Sequence, residues 1–136
     1  MRAPVLAVAV LLAGSAPAEP VLLTCTFETE CFDTDGCAKS AFAMEIAWDG
    51  QTPGAHGETG GPGSGAPAAP ARVTTDAESF EMLADLRNEV LAFGRATEAG
   101  DWWTLTIHEE VARLSVHMPT SDLALYYKGT CLEDAP

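Results

Sequence analysis

Four cysteines constrain this chain more than any other feature. Cys25, Cys31 and Cys37 follow one another at six-residue intervals, and Cys131 stands close to the other end. An even cysteine set reads as a disulfide framework in an exported protein and as metal or redox chemistry in a cytosolic one. The N-terminal residues point to export. Arg2 gives a positive start, Val5 to Ala13 is an unbroken apolar run, Gly14 and Ser15 end it, and Ala16-Pro17-Ala18 supplies small residues. That order is a secretory signal, and the run is too short to span a bilayer. Residues 1–18 are therefore expected to be removed between Ala18 and Glu19, with 19–136 as a single exported domain. Leu12-Ala13-Gly14 matches the start of a lipoprotein processing site, but Ser15 stands where the lipidated cysteine would be. No membrane anchor is expected, and the location is the periplasm or the medium.

The alternation of side chains selects among the three possible cystine pairings. From Val21 to Phe32 the odd positions Val21, Leu23, Cys25 and Phe27 are apolar, while Leu22, Thr24, Thr26, Glu28 and Glu30 form a mostly polar face. This is the period of a half-buried strand. Cys25 and Cys31 on one such strand would lie roughly 20 Å apart, too far to bond. Asp33-Thr34-Asp35-Gly36 is turn chemistry, so a Cys31–Cys37 bridge would close a hairpin. Cys25 is left for Cys131, which shares parity with Leu123, Leu125 and Tyr127 and should also face inward.

The same period recurs along the chain. Ala38 to Trp48 places Phe42, Met44, Ile46 and Trp48 on one face. Gly50 to Ala71 breaks the pattern: eleven of its 22 residues are Gly or Pro, which reads as a flexible loop. Arg72 to Thr75 is a short strand. Ala77 to Glu89 fits a helix through Phe80, Leu83 and Leu86, or a strand through Phe80, Met82 and Ala84; the neighbouring strands favour the second. Val90 to Thr97, Trp102 to His108, the run through Ala112, Leu114, Val116 and Met118, and Leu123 to Cys131 complete the set. The fold class is all-β: seven or eight short antiparallel strands in a meander, closed as a barrel or packed as a two-sheet sandwich.

Composition narrows the partners. Loss of Arg2 takes the net charge of the chain from −13 to −14. Such a surface repels phosphate backbones and anionic headgroups, which argues against nucleic acid and membranes. It leaves room for a basic protein or a cationic ligand as partner of a monomer, while acidity that simply keeps a small exported protein soluble is the stronger reading.

No catalytic constellation stands out. His56 falls in the Gly/Pro loop, and His108 and His117 lie on adjacent strands without the spacing of a metal site. Asp33-Thr34-Asp35-Gly36 matches the start of a calcium loop, but Cys37-Ala38-Lys39 ends the match. Ser40, Ser64, Ser79, Ser115 and Ser121 sit in no nucleophile motif, and Glu109-Glu110 point to opposite faces of a strand. No metal, cofactor or enzymatic activity is expected. Trp102 and Trp103 cannot both be buried on one strand, so one meets solvent. Trp102, Trp103 and Tyr126 are the candidate binding residues.

Thr24-Cys25-Thr26-Phe27, Cys31-Phe32, Asp35-Gly36-Cys37 and Gly129-Thr130-Cys131 resemble a group of small exported bacterial proteins of unknown function, over most of the mature chain except the Gly/Pro loop. These motifs are cysteines and strand ends, so the resemblance implies a scaffold and no activity. In size, export and staple the chain also resembles, more loosely, the periplasmic lysozyme inhibitors, which are small disulfide-stapled β-barrels. That likeness implies a non-enzymatic protein binding a macromolecule of the cell envelope. The alternative is a small-ligand carrier using the barrel interior, and enzyme is a distant third. Phe42, Met44, Trp48, Trp103 and Leu114 turned inward would plug such an interior.

Overall fold

The computed structural model describes residues 19–49, 69–87 and 89–135. Eight strands form one closed antiparallel barrel in which each pairs with its sequence neighbours and β8 returns to β1. They are β1 (Val21–Phe32), β2 (Gly36–Trp48), β3 (Ala69–Thr74), β4 (Ser79–Arg87), β5 (Val90–Ala96), β6 (Trp102–His108), β7 (Val111–Met118) and β8 (Leu123–Glu133). The barrel settles the choice between barrel and sandwich. The segment readable as helix or strand is the strand β4, because inward Phe80, Met82 and Ala84 meet a core that needs period two. The expected signal segment 1–18 lies outside the described residues. So do 50–68 of the stretch expected to be a loop, and its last residues, Ala69–Ala71, already belong to β3.

Alternation fills the interior. Phe27, Phe93, Met44, Ile46, Met82, Leu105, Leu114, Val73 and Cys25 are all fully buried there. The wall outside carries Thr26, Glu45, Arg72, Glu81, Arg113 and Lys128, all exposed. The same wall also exposes Leu22, Leu83, Val111 and Leu132, so it is mixed, while the interior is apolar. Trp48 and Phe93 meet edge to face across the core at 6.2 Å.

Both disulfides join register partners, Cys25 with Cys131 across β1–β8 and Cys31 with Cys37 across β1–β2. All four cysteines are thereby oxidised, which is the chemistry of an oxidising, non-cytoplasmic compartment. The first bridge lies inside the barrel and the second outside it, because a β-bulge between Phe27 and Thr29 reverses the parity of β1. Glu30, expected on the polar outer face, consequently turns inward to meet Tyr127. The extra residue at the bulge shifts every later side chain to the other face. Gly129 makes the bulge possible. It pairs with Phe27, and a Cβ there would run into the carbonyl oxygen of Thr26 and come within 2.7 Å of Phe27 Cα.

The β6–β7 connection, Glu109-Glu110, lacks the glycine or asparagine that tight hairpins prefer. Glu109 takes the positive φ itself, at 55°. The Cys131 N–H donates to the Glu110 carbonyl at 2.9 Å and ties this turn to β8.

Two outcomes follow from this arrangement. The Cys25–Cys131 bridge closes a separation of 106 residues and the Cys31–Cys37 bridge only six. On chain entropy, replacing both members of the first pair with alanine costs about 5 kcal/mol, and the second about 2 kcal/mol. Urea unfolding of the two double variants measures the order, and equal losses would contradict it. Gly129→Ala costs about 3 kcal/mol or more through backbone collision, against under about 1 kcal/mol for Gly94→Ala, where the nearest atom lies 3.9 Å away.

Candidate functional site

The candidate site is a strip on the outer wall near the upper end, taking as upper the end that holds the turns at 33–35, 75–78, 97–101 and 119–122. Register builds it. Trp102 on β6 stands opposite His117 on β7, and Tyr126 on β8 stands opposite Ser115 on β7 and Cys31 on β1. His117 and Tyr126 meet edge to face with ring centres 6.0 Å apart. Trp102 is 60% exposed and Tyr126 40%. The Cys31–Cys37 bridge borders the strip beyond Tyr126, again on the outer face. An indole, an imidazole and a phenol thus lie on neighbouring strands with their rings accessible. Such a surface offers apolar area together with hydrogen-bonding tips, the composition found at the centres of protein interfaces.

Of the three residues singled out in the sequence, the fold brings Trp102 and Tyr126 to this strip and takes Trp103 away from it. Trp103 faces inward at the upper mouth of the barrel. There its ring meets Phe80 edge to face at 5.5 Å, and the Arg95 guanidinium lies 4.0 Å from the Phe80 ring centre and 6.0 Å from that of Trp103. The arginine stem and the two rings together cap the core. His117 joins the strip without having been a candidate binding residue. Its signal was its position opposite Trp102, which needs the β6–β7 register to be known. His108 stands opposite Val111 at the lower end of the same strand pair, far along the ladder from His117. His56 lies outside the described residues.

The other side of the upper mouth is closed by Phe27, Phe42 and Tyr127, whose ring centres lie 5.2–5.9 Å apart. The Tyr127 hydroxyl donates to Glu30 Oε1 at 2.9 Å. Burial pushes the Tyr127 phenol from 10.0 up to about 12, and the hydrogen bond and negative charge of Glu30 add to the shift. Phe42, Met44, Trp48, Trp103 and Leu114, whose inward placement was expected to plug the barrel, all lie in the core or pack against it.

Two hollows open on the outer wall over β1, β2 and β3. One, of about 370 Å³, lies between the upper part of β2 and residues 74–76. The other, of about 190 Å³, adjoins it through Glu45 and Thr74 and reaches Arg72 and Asp134. Asp134 is fixed by the Thr24 hydroxyl, which donates to its carboxylate at 3.0 Å, and by its own N–H to the Leu22 carbonyl. No sequence signal marked this region, because it depends on where β3 stops relative to β2.

No protein-family model matches the chain, and no curated protein or solved structure matches it either.

The tyrosine at the mouth gives a measurable consequence. A phenol whose pKa is raised on folding contributes stability that is present below pH 10 and is lost as pH rises towards about 12. With Tyr126→Phe as background, Tyr127 is the one remaining tyrosine, so tyrosinate absorbance reports it alone. Its midpoint is expected near 12, and adding Glu30→Gln should lower it. A midpoint at 10 in the Tyr126→Phe protein would contradict the buried, hydrogen-bonded placement.

Proposed function

We propose that the protein acts outside the cytoplasm, after loss of residues 1–18, as a non-enzymatic binder of a macromolecule of the cell envelope. It meets that partner with the outer strip of Trp102, His117 and Tyr126. The observation that carries this reading is the division of the large side chains. Those expected to fill the interior do fill it, and Trp102 with Tyr126 remain outside beside each other's neighbours on one wall. A plugged interior favours recognition by the outer surface over the alternative of a small-ligand carrier. The two disulfides, one inside the wall and one outside it, support residence in an oxidising compartment.

The concrete form of the proposal is an inhibitor-like protein acting on a lysozyme. Its support is the loose resemblance in size, export and staple together with charge. With 20 acidic against seven basic residues, the chain attracts a basic enzyme and speeds encounter with it.

Hydrolysis of a peptidoglycan suspension by a basic lysozyme, with the oxidised protein in molar excess, tests this form. Inhibition is expected, weakened by about thirtyfold in Trp102→Ala, which corresponds to a central aromatic anchor worth about 2 kcal/mol. Unchanged hydrolysis at excess protein would end the inhibitor form. Inhibition insensitive to both Trp102→Ala and Tyr126→Ala would end the assignment to this strip.

A further inference from the structure

The barrel is closed, yet one of its strands keeps a long open edge. β2 pairs with β1 from Gly36 to Trp48, with a register shift at Ser40 and Ala41, but with β3 only from Glu45 to Trp48, because β3 ends at Thr74 opposite Glu45. Above that point Gly36–Met44 pairs, among the described residues, with β1 alone. The overhang is nine residues long, about 30 Å of extended backbone. Stagger between neighbouring strands is inherent in a barrel, and here it concentrates at the β2–β3 seam.

Proteins blunt such edges with charges, prolines or bulges, since a row of unpaired N–H and C=O groups recruits further strands. This edge has few of those devices, and the register shift at Ser40 and Ala41 is its one irregularity. Lys39 is its one charge, and the Phe42 N–H is accepted by the nearby Ser40 hydroxyl at 3.1 Å. The outward side chains beside the seam are Ala41 and Ala43, which leave the backbone approachable. The hollow of about 370 Å³ lies alongside them, where β3 would continue if it were longer. Glu45 and Asp76 border it, and Asp134 stands in the adjoining hollow with Arg72.

We infer that the open edge of β2 from Gly36 to Met44 is a docking site for an extended, cationic segment of another protein, added as a partial strand above the end of β3. Main-chain hydrogen bonds to the edge would hold the segment, and lysine or arginine side chains would reach Glu45 and Asp76. The carboxylates select the sign of the partner. A second copy of this chain, with net charge −13, meets them with repulsion. The site is separate from the aromatic strip and does not depend on the reading of that strip.

The probe is a nine-residue peptide of alternating lysine and threonine, capped at both ends and added to the full oxidised protein. Amide hydrogen exchange followed by NMR is the readout. Exchange within Gly36–Met44 is expected to slow at least about tenfold on binding. Peptides N-methylated at alternate positions are decisive, because strand pairing tolerates one of the two methylation frames and not the other. A glutamate-for-lysine peptide is expected not to bind, and Glu45→Gln with Asp76→Asn to weaken the lysine peptide by about tenfold. Equal binding of both methylated frames would reduce the interaction to charge and overturn the inference. So would no binding at all. In the free protein the amides of this stretch that bond to β1 are protected in any case, so the edge-facing amides decide: their protection without peptide would also overturn it. If that protection were independent of concentration the chain would cover its own edge, and if it rose with concentration a second copy would be the occupant.

Discussion

Everything in this fold depends on the pairing of β8 with β1. A meander of eight strands has two terminal edges until those strands meet, and an open meander this short would leave its core-facing side chains without the opposite wall that now covers them. The ladder runs from Leu23–Glu133 to Phe32–Leu125, and the Cys25–Cys131 bridge sits within it at a position buried on all sides. The bridge acts mainly on the unfolded chain, by removing its freedom, while the ladder and core act on the folded one. Closure therefore rests on a covalent and a non-covalent contribution located at the same pair of residues.

The bulge near Glu28 gives β1 two roles. Below it the strand presents Leu23, Cys25 and Phe27 to the core; above it the strand presents Glu30 to the mouth and Cys31 to the outer wall. One backbone irregularity thereby provides a polar partner for Tyr127 and moves the second disulfide to the surface beside Tyr126. Gly129 allows this by removing the side chain that would otherwise hold β8 away from β1. The aromatic strip lies above the bulge, whereas the overhang of β2 runs from above it down to Met44, opposite Cys25.

Much of this was legible in the amino-acid sequence because one face of each strand is buried, and period two then fixes which residues face inward. The parity of β1 below the bulge, of β2, β6, β7 and β8, and both cystine pairings follow from that rule. The rule fails at Glu30, since a bulge is a backbone event set by the neighbouring strand and leaves no mark on the pattern of β1 itself. It was silent on barrel against sandwich, because alternation reports that a face is buried but not what it is buried against. The Trp102–Trp103 dipeptide showed that one indole is exposed, and parity with Leu105 and Ile107 points Trp103 inward. That His117 would stand beside Trp102 required a register between strands, and the open edge of β2 required the stagger of three. Those are properties of pairs and triplets of strands, beyond the reach of any single segment.

The opposite placement of the two bridges also bears on how the chain acquires them. Cys25, Cys31 and Cys37 emerge together, and Cys131 comes 94 residues after the last of them. While Cys131 is still out of reach, Cys25 has two thiols nearby that it must not keep. The hairpin turn at 33–35 brings Cys31 to Cys37 as a local event, and their union takes both competitors out of circulation. Cys25 is then left with one possible mate, whichever oxidant is at hand. Formed first, the surface bridge would leave the sealing of the wall as the last covalent step.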